Sequence, residues 1–384
     1  MSPNTPQRPL AVHRILSARC GLRVSPLCFG TMSLGRGALS AVLGNIGKDE
    51  AFKLLDTFYE ACGNFVDTSN NYQDEQSEEW LGEWMEARGI RDQMVVATKY
   101  TMSHKQYEID QTGKGIGSNY GGNHAKSLHI SLRDSLRKLR TDYIDILYVH
   151  WWDYTCSIEE MMRSLDDVVR SRKVLYLGIS DAPAWIVAKA NQYARDHALT
   201  PFVIYQGLWN VMVRDMERDI IPMCIDEGLA IAPWGSVGQG KFKTKAQIEA
   251  LKQAGEHIRS WAGEEQSHLE ERMSAALETV GNELGATITA VAIAYCLQRC
   301  PYVFPVVGGR KIDHLIDNMK AVEINLSEEQ IKYLESQSAF EPGFPYSILG
   351  TDPRRFGETQ CFLQSNYVNL AWVKHASAIS GTQK

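Results

Sequence analysis

Leu27-Cys28-Phe29-Gly30-Thr31-Met32-Ser33-Leu34-Gly35 is the stretch on which the fold turns. Three apolar residues, the length of a short buried strand, run into a glycine, and the chain then loops. Seven more runs of this kind follow, at 64–66, 94–98, 144–149, 175–179, 202–205, 230–232 and 303–306. Between them apolar residues recur at helical spacing: Leu54, Leu55, Phe58 and Cys62; Leu81, Trp84 and Met85; Leu128, Leu132, Leu136 and Leu139. Strands that alternate with helices pair in parallel through right-handed crossovers, either as an open doubly wound sheet or as a closed barrel. An open sheet that cradles a dinucleotide carries GxGxxG directly after its first strand. The turn at 30–35 lacks that spacing. The expected fold is therefore α/β, a (β/α)8 TIM barrel.

No Gly/Ser-rich or Pro-rich linker interrupts the alternation, so all 384 residues are expected to form a single domain. Its barrel core would cover about 26–320. Residues 10–25 read as an N-terminal β-hairpin with Cys20-Gly21 at its turn, closing the bottom of the barrel. Residues 338–384 read as a C-terminal extension, and long loops follow strand three (101–125) and strand seven (235–266). Long loops in a compact fold tend to carry function. Forty basic against forty-six acidic residues give a net charge of −6, which offers no field for a polyanion and argues against nucleic acid. The longest apolar stretches, such as 144–152, are about half the ~20 residues of a membrane span, and the first ten residues have no apolar core. A cytoplasmic protein with no membrane association is expected. Eight scattered cysteines without a CxxC pair, and without histidines at zinc-ligand spacing, fit a reducing compartment and no metal. The oligomeric state is not readable from the sequence.

In α/β barrels the chemistry collects at the carboxyl ends of the strands. The residues after the apolar runs are Asp67-Thr68, Lys99, His150, Ser180-Asp181, Gln206, Trp234 and Gly308-Gly309-Arg310, with Tyr72 five positions beyond Asp67. Singly, such an Asp reads as a cap, such a Lys as solvated and such a Tyr as packing. Together they point to proton transfer at an oxygen atom. A phenol has a pKa near ~10, and an ammonium within a few Å favours phenolate; a shift of two to three units corresponds to about 3–4 kcal/mol. Asp67 would keep Lys99 charged, and His150 would hydrogen-bond the substrate oxygen. Trp151 and Trp152 offer a wall for a planar substrate, although strand alternation would turn one of them into helix packing. Residues 235–241 match the GxxxxGK of a phosphate loop, but Phe242 follows where a Mg²⁺-binding Ser or Thr is required.

The same residues resemble the aldo-keto reductase superfamily. Asn64-Phe65-Val66-Asp67-Thr68-Ser69-Asn70-Asn71-Tyr72 is similar to its strand-two signature, Ala97-Thr98-Lys99 to its strand-three lysine and Tyr148-Val149-His150 to its strand-four histidine. Closer similarity, to a fungal aryl-alcohol dehydrogenase and norsolorinic acid reductase-like branch, lies in four further stretches. These are Tyr176-Leu177-Gly178-Ile179-Ser180-Asp181-Ala182-Pro183-Ala184-Trp185, Ile204-Tyr205-Gln206-Gly207-Leu208-Trp209-Asn210, Arg218-Asp219-Ile220-Ile221-Pro222-Met223 and Ala232-Pro233-Trp234-Gly235. The resemblance covers residues 12–340 and implies Tyr72 as general acid, supported by Lys99, Asp67 and His150. It further implies an NADP(H) site. Ser180, Asp181 and Gln206 would hold the nicotinamide amide, and Trp234 would stack on the ring. Gly235, Gly240 and Lys241 would pass over the pyrophosphate, Arg310, Lys311, His314 and Asn318 would take the 2'-phosphate, and Gly30, Thr31, Met32, Gly308 and Gly309 would complete the contacts. Residue chemistry supports the phosphate assignment independently, because a helix start carrying a guanidinium fork is a good anion site.

Two departures stand out. Asp181 occupies a place where many members of the superfamily have Asn, which leaves the direction of reaction open. His150 follows Lys99 by 51 positions, longer than usual, so the 101–125 segment should border the substrate. The expected activity is carbonyl–alcohol interconversion on small aromatic or polycyclic substrates. Alternatives are a tailoring ketoreductase or dehydratase-type step in a fungal polyketide or terpenoid pathway, and a non-enzymatic cofactor-sensing subunit of the kind found with potassium channels.

Overall fold

The computed structural model describes residues 8–38, 40, 44–255, 258, 265–352, 371–374, 376–379 and 381. An antiparallel hairpin, β1 (Arg14–Ser17) and β2 (Cys20–Val24), precedes the barrel. The alternation then runs β3 (Cys28–Gly30), α1 (Lys48–Glu60), β4 (Phe65–Asp67), α2 (Gln76–Arg88), β5 (Val95–Tyr100), α3 (Gln106–Thr112), α4 (Ala125–Lys138), β6 (Ile144–Val149), α5 (Ile158–Arg170), β7 (Val174–Ser180) and α6 (Ala184–Asp196). It continues with β8 (Phe202–Leu208), α7 (Ile220–Glu227), β9 (Ala230–Trp234), α8 (Lys245–Gln253), α9 (His268–Leu284), α10 (Ile288–Arg299), β10 (Val306–Val307), α11 (Ile312–Met319), α12 (Glu328–Glu335) and α13 (Tyr346–Leu349). Eight parallel strands lie in the order β10-β3-β4-β5-β6-β7-β8-β9, and a parallel bridge from Ile231 to Val303 nearly closes the ring. This is the (β/α)8 barrel expected from the alternation.

Period-two alternation splits the apolar residues into two layers. Phe65, Val95, Ala97, Ile146, Tyr148, Ile204, Ala230 and Ala232 fill the barrel, joined from below by Leu16, Cys20 and Val24 of the hairpin. Phe29, Val66, Val96, Leu147 and Val149 face outward onto the helices. The helices form for ordinary reasons. In α5, Ser157 caps the Glu160 amide at 3.1 Å, and Ile158, Met161, Met162 and Leu165 bury one stripe. Loss of such a cap costs about 1 kcal/mol.

Three expectations need adjustment. The hairpin turns at Ala18-Arg19, where the Arg19 amide donates to Ser17 Oγ at 3.2 Å, and Cys20 already belongs to β2. The loops after strands three and seven each contain a helix, α3 and α8, the latter started by a Thr244–Gln247 capping box. Strand eight is only Val306–Val307; residues 303–305 instead bond to Ile231 and Cys28 at the seam. Residues 353–370 of the C-terminal extension, and residues 256–257 and 259–264 of the loop after strand seven, lie outside the described residues.

Candidate active site

Polar or indole side chains cap the inward-facing columns of β4, β5, β6, β8 and β9. Asp67 lies two positions beyond Phe65, Lys99 two beyond Ala97, His150 two beyond Tyr148, Gln206 two beyond Ile204 and Trp234 two beyond Ala232, so one alternation carries all of them to the mouth. Asp67, Lys99, Gln206 and Trp234 lie within their strands, and His150 directly follows β6, because the parallel ladder continues past most of the apolar runs. Lys99, for example, pairs with Tyr148 and Tyr100 with Val149.

Lys99 is the hub. Its ammonium, 1 % exposed, donates to Asp67 Oδ1 at 2.5 Å, to the Thr68 carbonyl at 2.8 Å and to the Tyr72 hydroxyl at 3.3 Å. Burial works to discharge it, but Asp67 and then Tyr72 outweigh burial and hold its pKa above the ordinary lysine value. Gln206 Nε2 donates to the other Asp67 oxygen at 2.9 Å. The Tyr72 ring meets His150 edge-on, with centroids 5.9 Å apart. Ser69 Oγ lies 3.2 Å from His150 Nδ1 and fixes the imidazole plane. Burial and the Lys99 charge depress the His150 pKa well below 6.5, so the ring is neutral. Tyr72 departs from the expectation. Burial raises its pKa above 10, and the downward pull of Lys99 does not overcome that with Asp67 and Asp181 also opposing it. The phenol is held protonated.

The turn that delivers Tyr72 is unusual. Gln73, Asp74 and Glu75 all have left-handed backbones, with φ of 52°, 54° and 77°, at a cost of roughly 1–2 kcal/mol each. Opposing contacts hold it. Gln73 Nε2 donates to the Met32 and Gly44 carbonyls at 2.9 and 3.0 Å, and Gln73 Oε1 accepts from the Gly37 amide at 2.8 Å. A side chain at Gly35 would meet Gln73 Cβ at 2.3 Å, so a glycine is required there.

The remaining sequence-derived residues divide. Ser180 (1 % exposed) and Trp234 ring the same mouth, and the Trp234 indole donates to Asp181 at 3.2 Å. Gly30 and Thr31 lie beside the β10 seam, where a Cβ on Gly30 would come within 2.9 Å of Val306 and one on Gly308 within 3.3 Å of the Gly30 carbonyl. Met32 is exposed at the rim. Gly309 accepts from Ser33 at 3.4 Å. Arg310, Lys311 and His314 stand exposed at the start of α11, and Asn318 is buried in it. Gly235 and Gly240 adopt left-handed backbones in the loop after β9. Lys241 does not face the mouth: its ammonium is buried against the Glu265 carbonyl, with Glu270 4.0 Å away. Trp151 is exposed beside Met102, its indole 3.1 Å from the Met102 sulfur, whereas Trp152 packs into the outer core. One indole thus lines the mouth and the other packs.

Sequence reading missed a set of supports: Asn70, Glu75, Glu78, Asn123 and Lys138. Asn123 bonds Thr101 Oγ1, the Trp151 carbonyl and the Asp153 amide at 3.0, 3.0 and 2.8 Å, and so ties the loops after β5 and β6 together. The sequence signals for them are the place of Asn70 inside the 64–72 stretch and the Glu75/Glu78 spacing at the start of α2.

The barrel mouth gathers a phenol, an ammonium, a carboxylate and an imidazole, groups chemically able to move a proton at an oxygen atom. Residues 26–339 match the aldo/keto reductase family, and the chain belongs to that family. It is accordingly an oxidoreductase. Among similar proteins, an aryl-alcohol dehydrogenase [NADP(+)] of Phanerodontia chrysosporium is 54% identical over 357 residues, covering 91% of each chain. The aldo-keto reductase ausK of Emericella nidulans is 51% identical over 376 residues, covering 97% of this chain and 93% of that one. A norsolorinic acid reductase B of Dothistroma septosporum is 48% identical over 376 residues, covering 96% and 93%.

Proposed function

We propose that this protein interconverts carbonyl and alcohol groups of aromatic or polycyclic substrates with NADP(H), and that Tyr72 is its proton donor and acceptor. The observation that carries this reading is the Lys99 ammonium bridging the Tyr72 hydroxyl at 3.3 Å and Asp67 at 2.5 Å. The residues present fit the cofactor. Thr31 and Thr68 hold buried hydroxyls with no partner among the described residues, at the mouth ends of β3 and β4. Arg310 and Lys311 are exposed at the start of α11, with no carboxylate in ion-pair range among the described residues, and Lys243 and Lys311 add positive potential that, after burial, depresses the His314 pKa. Such a cluster suits a 2'-phosphate, and the Trp234 indole offers a flat surface for a ring.

When bound, the nicotinamide supplies or accepts the hydride. The protein's own residues manage the proton. In reduction the Tyr72 hydroxyl donates to the developing alkoxide, and the Lys99 charge, fixed by Asp67, stabilises the phenolate left behind. Neutral His150 orients the substrate oxygen from the other side. Trp151 and Met102 border the opening with polarisable apolar surface suited to an aromatic ring.

Absorbance assays of NADPH and NADH oxidation across aromatic aldehydes, quinones and polycyclic ketones, with Tyr72→Phe in parallel, test the reading. Tyr72→Phe should keep cofactor affinity and lose a factor of ~10² or more in turnover, as expected for a missing general acid. Undiminished turnover would remove Tyr72 from the chemistry.

A further inference from the structure

Tyr72 leads into three consecutive left-handed residues, none of them glycine. Nothing in Gln73-Asp74-Glu75 favours that path locally, so surrounding contacts must impose it. From outside the barrel the grip comes from the last turn of α4. Lys138, 2 % exposed, donates to the Asn70 carbonyl at 2.8 Å and pairs with Glu75 at 2.9 Å and Glu78 at 2.8 Å. These contacts fall two residues before the phenol, three after it and six after it.

The same cluster reaches the strand that carries the amine. Glu78, fully buried, accepts from Thr98 Oγ1 at 2.5 Å and from Ser135 Oγ at 3.1 Å, and Thr98 is the neighbour of Lys99 on β5. Lys105 pairs with the other Glu75 oxygen at 2.5 Å, and Asn70 Nδ2 donates to Ser131 Oγ at 3.1 Å. Two ammonium and two carboxylate groups thus form a neutral network behind the turn. Without Lys138 two carboxylates would be left behind it with a single cation, and their repulsion would act directly on the backbone that positions the phenol.

We propose that Lys138 is a positioning residue for Tyr72, registering the phenol-bearing turn against the Lys99-bearing strand through one buried ammonium. The proposal rests on Tyr72 being the proton donor. It separates position from folding because a conservative cation should restore it and a neutral side chain should not.

The test compares Lys138→Met, Lys138→Arg and Tyr72→Phe with the parent. Each is assayed for kcat with an aromatic aldehyde and for NADPH affinity by quenching of protein fluorescence. Lys138→Met should lower kcat at least tenfold while NADPH affinity stays within threefold, and Lys138→Arg should return kcat to within threefold of the parent. Should Lys138→Met prove insoluble, Lys138→Met/Glu78→Gln removes the stranded carboxylate and is read by the same criteria. A kcat within twofold of the parent in the neutral variant overturns the assignment. So does a parallel fall of kcat and NADPH affinity that Arg fails to rescue, since that describes a structural lesion. Loss of turnover in Tyr72→Phe beside full turnover in Lys138→Met defeats the Lys138 assignment alone, whereas full turnover in Tyr72→Phe defeats the reading beneath it.

Discussion

His150 shows how far one side chain's surroundings decide its chemistry. On sequence alone it is an imidazole after an apolar run, able to be a charged acid or a neutral hydrogen-bonding group. Burial first, and the Lys99 ammonium second, disfavour its cation, so it serves as a neutral partner beside a charged lysine. Nitrogen-detected NMR should therefore find this ring neutral at pH 6.5, where a free imidazole is about half protonated. A ring that titrates there like a free one would show that the imidazole is neither desolvated nor beside a charged Lys99. Tyr72 teaches a related lesson. A lysine neighbour invites the inference of an acidic phenol, yet burial outweighs it in the protein as it stands. The gathering of Asp67, Tyr72, Lys99 and His150 was legible because an acid, an amine and an imidazole are rare at the ends of apolar runs. The sign of the phenol's shift was not, because desolvation depends on what covers the ring.

At the scale of elements, the strands were legible because both faces of each are covered, so they read as short apolar runs bounded by turns. Their ends were less so: Lys99, Gln206 and Trp234 lie within ladders that a reading of hydrophobicity stops short of. Lys138 was invisible for a different reason. A lysine in the last turn of a helix is ordinarily solvated, and the Leu128-Leu132-Leu136-Leu139 stripe drew the buried face elsewhere. What buries it is the approach of α2 to the end of α4, made possible by Gly82, where a Cβ would sit 2.3 Å from the Lys138 carbonyl. Gly82→Ala therefore sets two effects against each other. Helix propensity gains about 1 kcal/mol, while forced overpacking costs typically 1–3 kcal/mol, near its upper end when the obstacle is backbone. A net loss of about 1–2 kcal/mol in urea unfolding is expected, and a more stable variant would show that the two helices can separate freely.

Across the whole molecule, buried histidines should set how stability responds to mild acid. His104, 3 % exposed, donates from Nε2 to the Asp134 carboxylate at 2.8 Å, yet burial keeps its pKa below 6.5, as burial and Lys99 do for His150. A folded-state pKa below the unfolded value means that the unfolded chain takes up the proton first. Their contribution is thus fully present above pH 6.5 and is lost as pH falls from 6.5 toward the folded values. Each such group has a limiting slope of about 1.4 kcal/mol per pH unit. The paired carboxylates act lower: Glu75 and Glu217 resist the effect of burial through Lys138 and Arg214 respectively, their pKa values lie below 4.5, and their contribution is lost only as pH falls below that point. Urea midpoints should consequently decline between pH 7 and pH 5.5, before the paired Glu75 and Glu217 begin to protonate, and His150→Gln should flatten part of that decline. The flattening separates the barrel-mouth imidazole from His104, which lies behind α4 with its own carboxylate. A midpoint independent of pH over this interval would mean that both rings take up protons as readily folded as unfolded, and the electrostatic description of the mouth, with a charged Lys99 beside a neutral His150, would have to be abandoned.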